Sequence, residues 1–132
     1  MGNPDPLQAE MKTLTERLHA EGWAAHVTAE RLLSDWARLS EKVSSYSLTI
    51  DDYTNDLTGR DALDLVLSWA SPELIDRLRP EIQRADKRFV EATVEDDRSL
   101  IGRYFRIDNK AGWWWRRLPR SGRLADDLSD RR

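Results

Sequence analysis

The sequence predicts a mainly α fold: a compact bundle of about four main helices plus a short helix, with a small C-terminal β-hairpin or extended arm. Three observations carry this. Apolar residues recur at steps of three and four from Leu7 to Ala92. Serine, threonine or proline stands at the start of most of these runs, where helices are capped. After Glu95-Asp96-Asp97 the pattern changes to aromatic and branched residues on either side of a loop containing Asn109 and Gly112.

The elements follow in order. Residues 1 to 6 hold two prolines and precede a first helix with Leu7, Met11, Leu14 and Leu18 on one side. It should end near Gly22, since glycine readily takes the left-handed conformation that closes a helix. Thr28 caps a second helix with Leu32, Leu33, Trp36, Leu39 and Val43 along one side, and Ser44-Ser45 lies beyond its end. Thr49, with Asp52 in the first turn, predicts a short helix over about 50 to 57. Thr58 and Asp61 repeat the arrangement and open a third main helix through Leu63, Val66, Leu67 and Trp69. That helix is so apolar that it is the expected buried centre.

Ser71-Pro72 opens the fourth helix, because serine caps and proline fits the first helical position. Its apolar side is Leu74, Ile75, Leu78, Ile82, Ala85, Phe89 and Ala92, and Pro80 predicts a break near Arg79 by removing a backbone donor. The expected core is Leu14, Leu18, Leu32, Trp36, Leu39, Val43, Leu63, Val66, Leu67, Leu78, Ile82 and Phe89. Beyond Asp97, the run Leu100 to Ile107, the loop Asp108 to Gly112 and the tryptophans Trp113, Trp114 and Trp115 read as strand, turn, strand, with Pro119 stopping the second strand. Adjacent strand residues face opposite ways, so at least one tryptophan should reach the surface. The organisation expected is one globular domain over residues 1 to 119 and a flexible tail over 120 to 132.

A chain of 132 residues, 39% hydrophobic and 34% charged, suits a single domain. The absence of cysteine excludes disulfides, thiolate nucleophiles and Cys-ligated metal sites, and suits a reducing compartment. No signal peptide is read at the start and no stretch approaches the roughly 20 apolar residues of a membrane span, so a cytoplasmic location is expected. The net charge of -3 hides an asymmetry: residues 1 to 97 hold 20 acids and 11 bases, residues 98 to 132 hold 4 acids and 10 bases. Eight of those bases, from Arg98 to Arg123, are interleaved with Tyr104, Phe105 and the three tryptophans.

Tryptophan and arginine are over-represented at the energetic centres of protein interfaces. The leading functional expectation is therefore a noncatalytic protein-binding or adaptor module, immunity or antitoxin-like, with Trp114, Trp115, Arg116 and Arg117 as its contact surface. Its expected partner is another protein, with a homo-oligomer as the alternative association. The alternative is nucleic-acid binding through Arg103, Arg106, Lys110, Arg116, Arg117 and Arg120, which could neutralise phosphates while aromatic faces stack on bases. A third reading is a metal-dependent enzyme that gathers Asp51, Asp52, Asp56, Asp61 and Asp64 around a hard cation. The spacing of these acids matches neither an EF-hand nor a di-iron bundle, and two of them already serve as first-turn acids. His19 and His26 lack a local catalytic constellation, the six isolated glycines form no phosphate loop or dinucleotide fingerprint, and there is no nucleophile elbow. No cofactor is expected.

Overall fold

The structure, a computed structural model, describes residues 5–129; the expectations for residues 1–4 and for the last three residues of the tail lie outside the described residues. Helices α1 (Pro6–Ala20), α2 (Ala29–Lys42), α3 (Ile50–Trp69) and α4 (Pro72–Ala92) are followed by strand β1 (Thr93–Glu95), two 3-10 turns at Ile101–Arg103 and Trp113–Arg116, strand β2 (Arg117–Pro119) and helix α5 (Arg123–Ser129). The mainly helical class and the small antiparallel pair near the C-terminus are as expected. No helix among the described residues is long and apolar enough to cross a membrane.

The caps behave as their chemistry dictates. The Asp5 carboxylate accepts from Leu7 N–H at the start of α1, where Pro6 needs no partner for a missing donor. Gly22 (φ 102°) closes α1, with Trp23 N–H reaching back to Leu18 C=O at 3.0 Å. Thr28 caps α2 and Ser71 caps α4. Thr49 and Asp52 satisfy one another's backbone donors in a capping box at the start of α3. With the helices so fixed, α2 lies along both α3 and α4 and takes the central place expected of the third helix. Every expected core residue is buried except Leu67, which is partly exposed.

Three local expectations are corrected. The short helix and the third helix are one, α3, because Thr58 does not cap. Its hydroxyl donates to the Thr54 carbonyl inside a continuous helix. The buried stripe Tyr53, Leu57, Arg60, Leu63 and Val66 runs straight past Gly59, and burying it outweighs the roughly 1 kcal/mol helix penalty of one glycine. Nor does Pro80 break α4. Pro80 and Asp76, whose carbonyl loses its donor, are both exposed to water, while Leu74, Leu78, Ile82, Ala85 and Phe89 hold both halves to the core from the opposite side.

The third correction concerns the C-terminal part. The antiparallel partner of β2 is β1, directly after α4, with Thr93 opposite Pro119, Val94 opposite Leu118 and Glu95 opposite Arg117. Residues 100 to 107 form no strand; the Asp96 carboxylate accepts from Leu100 and Ile101 N–H and starts a 3-10 turn instead. Residues 120 to 129 are no loose tail. Leu124 and Leu128 of α5 are buried, and Leu124 N–H donates to Tyr46 C=O at 3.1 Å. Gly122 (φ 98°) lets the chain approach the Ser45–Tyr46 backbone too closely for any side chain, and Ser121 Oγ donates to Ser44 C=O.

Candidate functional site

The three tryptophans sit on a 3-10 turn, where successive side chains step round the axis in thirds and the alternation of a strand does not apply. Trp114 and Trp115 are buried, and Trp113 is 38% exposed. Asp61 of α3 explains the inward pair: one of its oxygens accepts from both indole N–H groups, each at 2.8 Å, and the other lies 3.4 Å from the Lys110 ammonium. Each buried indole thereby keeps its hydrogen bond. Trp115 stacks on Phe105 at 5.1 Å, and Trp114 lies against the guanidinium of Arg60 at 4.3 Å.

Arg60 is a charge set inside the bundle, 5% exposed, between the rings of Trp114 and Trp36. It reaches Asp86 at 3.4 Å and Asp64 at 3.7 Å, while its Nε and Nη1 make no hydrogen bond among the described residues. Asp86 also accepts from the Trp36 indole at 2.8 Å. The same aromatic cluster supports Trp113, whose ring meets Trp114 at 5.5 Å, Phe89 at 5.8 Å and Trp36 at 6.3 Å.

The residues expected to face a partner divide accordingly. Trp114 and Trp115 are interior, a correction that follows from their shared acceptor on α3. Arg117 is half-buried, and its guanidinium donates to Thr93 Oγ1 at 2.7 Å and to the Thr93 and Val90 carbonyls, tying β2 to the end of α4. Arg116 is exposed and closes its own turn by donating to Lys110 C=O at 3.0 Å. Trp113 and Arg116 border a shallow cleft of about 580 Å³, whose other side is Glu95–Asp97. Of the six residues expected at a nucleic acid, Lys110, Arg116 and Arg117 are engaged internally, whereas Arg103, Arg106 and Arg120 are exposed with no side-chain partner among the described residues.

The five aspartates expected around a cation are spread along α3 and occupied separately. Asp52 caps, Asp56 accepts from Tyr46, Asp61 holds the tryptophans, Asp64 pairs with Arg60 and Asp51 is exposed. Among the described residues, no three His, Asp or Glu side chains are grouped to hold a metal. His19 Nε2 lies 2.8 Å from the Val27 carbonyl oxygen, as a helix-end histidine would.

A groove absent from the sequence reading lies elsewhere on the bundle. It has about 700 Å³ and lies between α2 and the first half of α3, with the 23–27 loop and the 43–48 connector at its ends. Trp23, Val27, Leu32, Trp36 and Leu39 supply apolar wall. On the α3 side Tyr46 O–H donates to the half-buried Asp56 carboxylate at 2.6 Å. Burial pushes the Asp56 pKa above the ordinary carboxylate range; the Tyr46 hydrogen bond opposes the shift, and the charges of Asp52 and Asp35 add to it. The Tyr46 phenol is raised too, by burial first and then by its bond to Asp56. Gly59 is the one trace in the sequence: a missing side chain on the α3 face opposite Leu32 leaves this space open. No known protein family, curated protein or solved structure matches the chain.

Proposed function

We propose that the chain is a noncatalytic protein-binding module, of the adaptor, immunity or antitoxin kind, acting in the cytoplasm. Its docking surface is the turn that carries Trp113 and Arg116. The observation behind this reading is that a half-exposed tryptophan is immobilised: Trp113 packs edge-on against three other aromatic rings, and Asp61 anchors its two neighbours. An aromatic anchor already held in place loses little conformational entropy on binding, and an adjacent arginine supplies directional donors.

The test is quantitative capture with the intact protein and with Trp113→Ala and Arg116→Ala variants of unchanged circular dichroism, followed by affinity measurement on the purified partner. Each variant should weaken binding about tenfold or more, as truncation of an interface anchor does. Retention of full affinity by Trp113→Ala would remove this surface from the proposal. A second reading, nucleic-acid binding, has its own support: Arg98, Arg103 and Arg106 are exposed, with no side-chain partner among the described residues, within one short loop that also carries Tyr104. It predicts nuclease-sensitive capture, with the logarithm of affinity falling against the logarithm of salt with a slope of about -2 for three phosphate contacts on a single strand.

A further inference from the structure

We propose that the groove between α2 and α3 is a binding site for a small organic amine, its ammonium on the Asp56 carboxylate and its apolar body against Leu32, Trp36 and Leu39.

The space comes first. About 700 Å³ lies within the range of small-molecule sites, and its walls combine apolar and aromatic surface with a few polar groups. Trp36 commits its indole N–H to Asp86, outside the groove lining, so what it offers a ligand is ring surface.

The charges then choose the ligand. Most of those around the groove are already matched. Arg38 pairs with Asp35 and Glu41 with Arg88, each at 3.8 Å. Arg60 is enclosed by two rings and directed at Asp64 and Asp86. Arg31 and Lys42 are exposed at the rim, where solvent screens them. Among the three acids that line the groove, Asp56 is the exception. No lysine or arginine among the described residues forms an ion pair with it, and its one hydrogen bond in the groove comes from the neutral Tyr46 hydroxyl. A carboxylate has about four lone-pair sites, so most of its accepting capacity is unused. The nearby charges acting on it, Asp52 on its own helix and Asp35 across the groove, are of like sign. An ammonium would supply the missing counter-charge, whereas a carboxylate or phosphate against Asp56 would meet a like charge. Cation attraction to aromatic faces acts in the same direction.

The experiment is a two-dimensional ¹H–¹⁵N NMR titration of the full chain at neutral pH and low salt with three probes of one shape: phenethylamine, 2-phenylethanol and 3-phenylpropionate. The amine should produce saturable shifts centred on Leu32, Trp36, Asp56 and Gly59, with the millimolar affinity expected of so small a ligand. It should bind about fivefold to tenfold tighter than the alcohol, and the acid should bind weakest. In Asp56→Asn the preference for amine over alcohol should disappear. Gly59→Met, which fills the groove and leaves Asp56 in place, should abolish the shifts for all three probes. Should Asp56→Asn fail to fold, the three-probe ranking on the intact protein and the Gly59→Met titration decide the matter. Equal affinity for amine and alcohol, shifts that map elsewhere, or no saturation at about 20 mM amine would overturn the site.

Discussion

Asp56 and Asp61 stand five residues apart on one helix and have opposite surroundings. Asp61 is saturated: two indole N–H groups and a lysine ammonium converge on it, and two of three consecutive tryptophans are anchored inward. Asp56 is half-buried beside a groove with one tyrosine hydroxyl and two like charges for company. The difference teaches how to tell a carboxylate that holds the fold from one that can serve a ligand. The first has its hydrogen-bonding capacity filled from within the chain; the second has been partly desolvated with a single hydrogen bond and no counter-charge in return.

The largest effect expected at the first region is that of Asp61→Ala. It strands two indole donors in the interior, at roughly 1–3 kcal/mol each, and should lower stability by about 3–5 kcal/mol in a urea titration. Asp61→Asn, which keeps one carbonyl acceptor, should lose less. A variant Asp61→Ala of unchanged stability would show that packing alone holds the turn. Next comes Gly112→Ala: the added methyl would collide with the Trp114 ring, which is itself enclosed, so a loss of about 1–3 kcal/mol and a displaced Trp113 fluorescence are expected. If the turn yields without loss, its rigidity, and with it the preorganised Trp113, is in doubt.

The groove predicts the opposite sign. At Gly59 an added methyl meets nothing nearer than Leu32 Cδ2 at 4.0 Å, so Gly59→Ala should stabilise α3 by about 0.5–1 kcal/mol in thermal or chemical unfolding. A loss there would mean that the groove is not open in solution. The smallest expected effect is on pH dependence. The folded-state pKa of Asp56 is raised, so the folded protein holds this proton more tightly than the unfolded chain. Its contribution to stability is therefore greatest below the ordinary carboxylate range and falls as pH rises through the raised value. Asp56→Asn should remove that slope, measured as the difference between the two stability curves from acid to neutral pH. Asp5 acts in the reverse direction and is common to both curves: its bond to Arg77 lowers its pKa, so its contribution is lost as pH falls.

Much of the bundle was legible because helix signals are local. The Thr28, Thr49 and Ser71 caps lie within a few residues of the N–H groups they satisfy. The stripe of α2 places the same residues inward in the sequence and in the fold, and that of α4 does so except at Ile75 and Ala92, which are partly exposed. The binding surfaces were less legible. Charge and composition identified the basic aromatic segment, but reading it as a strand put Trp114 and Trp115 at the contact surface, where the structure buries both and exposes Trp113. The groove left no mark beyond Gly59, since Tyr46 and Asp56 meet across a connector and obey no helical spacing.

By itself, then, the sequence determined the helical class, the starts of α1 to α4, most of the core and the concentration of tryptophan and arginine near the C-terminus. Tertiary structure decided that Gly59 and Pro80 do not interrupt their helices, that α5 docks against the Tyr46 backbone, which tryptophans turn inward, and which aspartate is left without a counter-charge. The reason is one of range and magnitude. Local preferences cost about 1 kcal/mol at a glycine and about 3 kcal/mol at a proline inside a helix, margins outvoted by burial of a shared apolar face. The deciding contacts also join distant parts of the chain: Trp36 finds Asp86 across 50 residues, and Trp114 and Trp115 find Asp61 across 53 and 54.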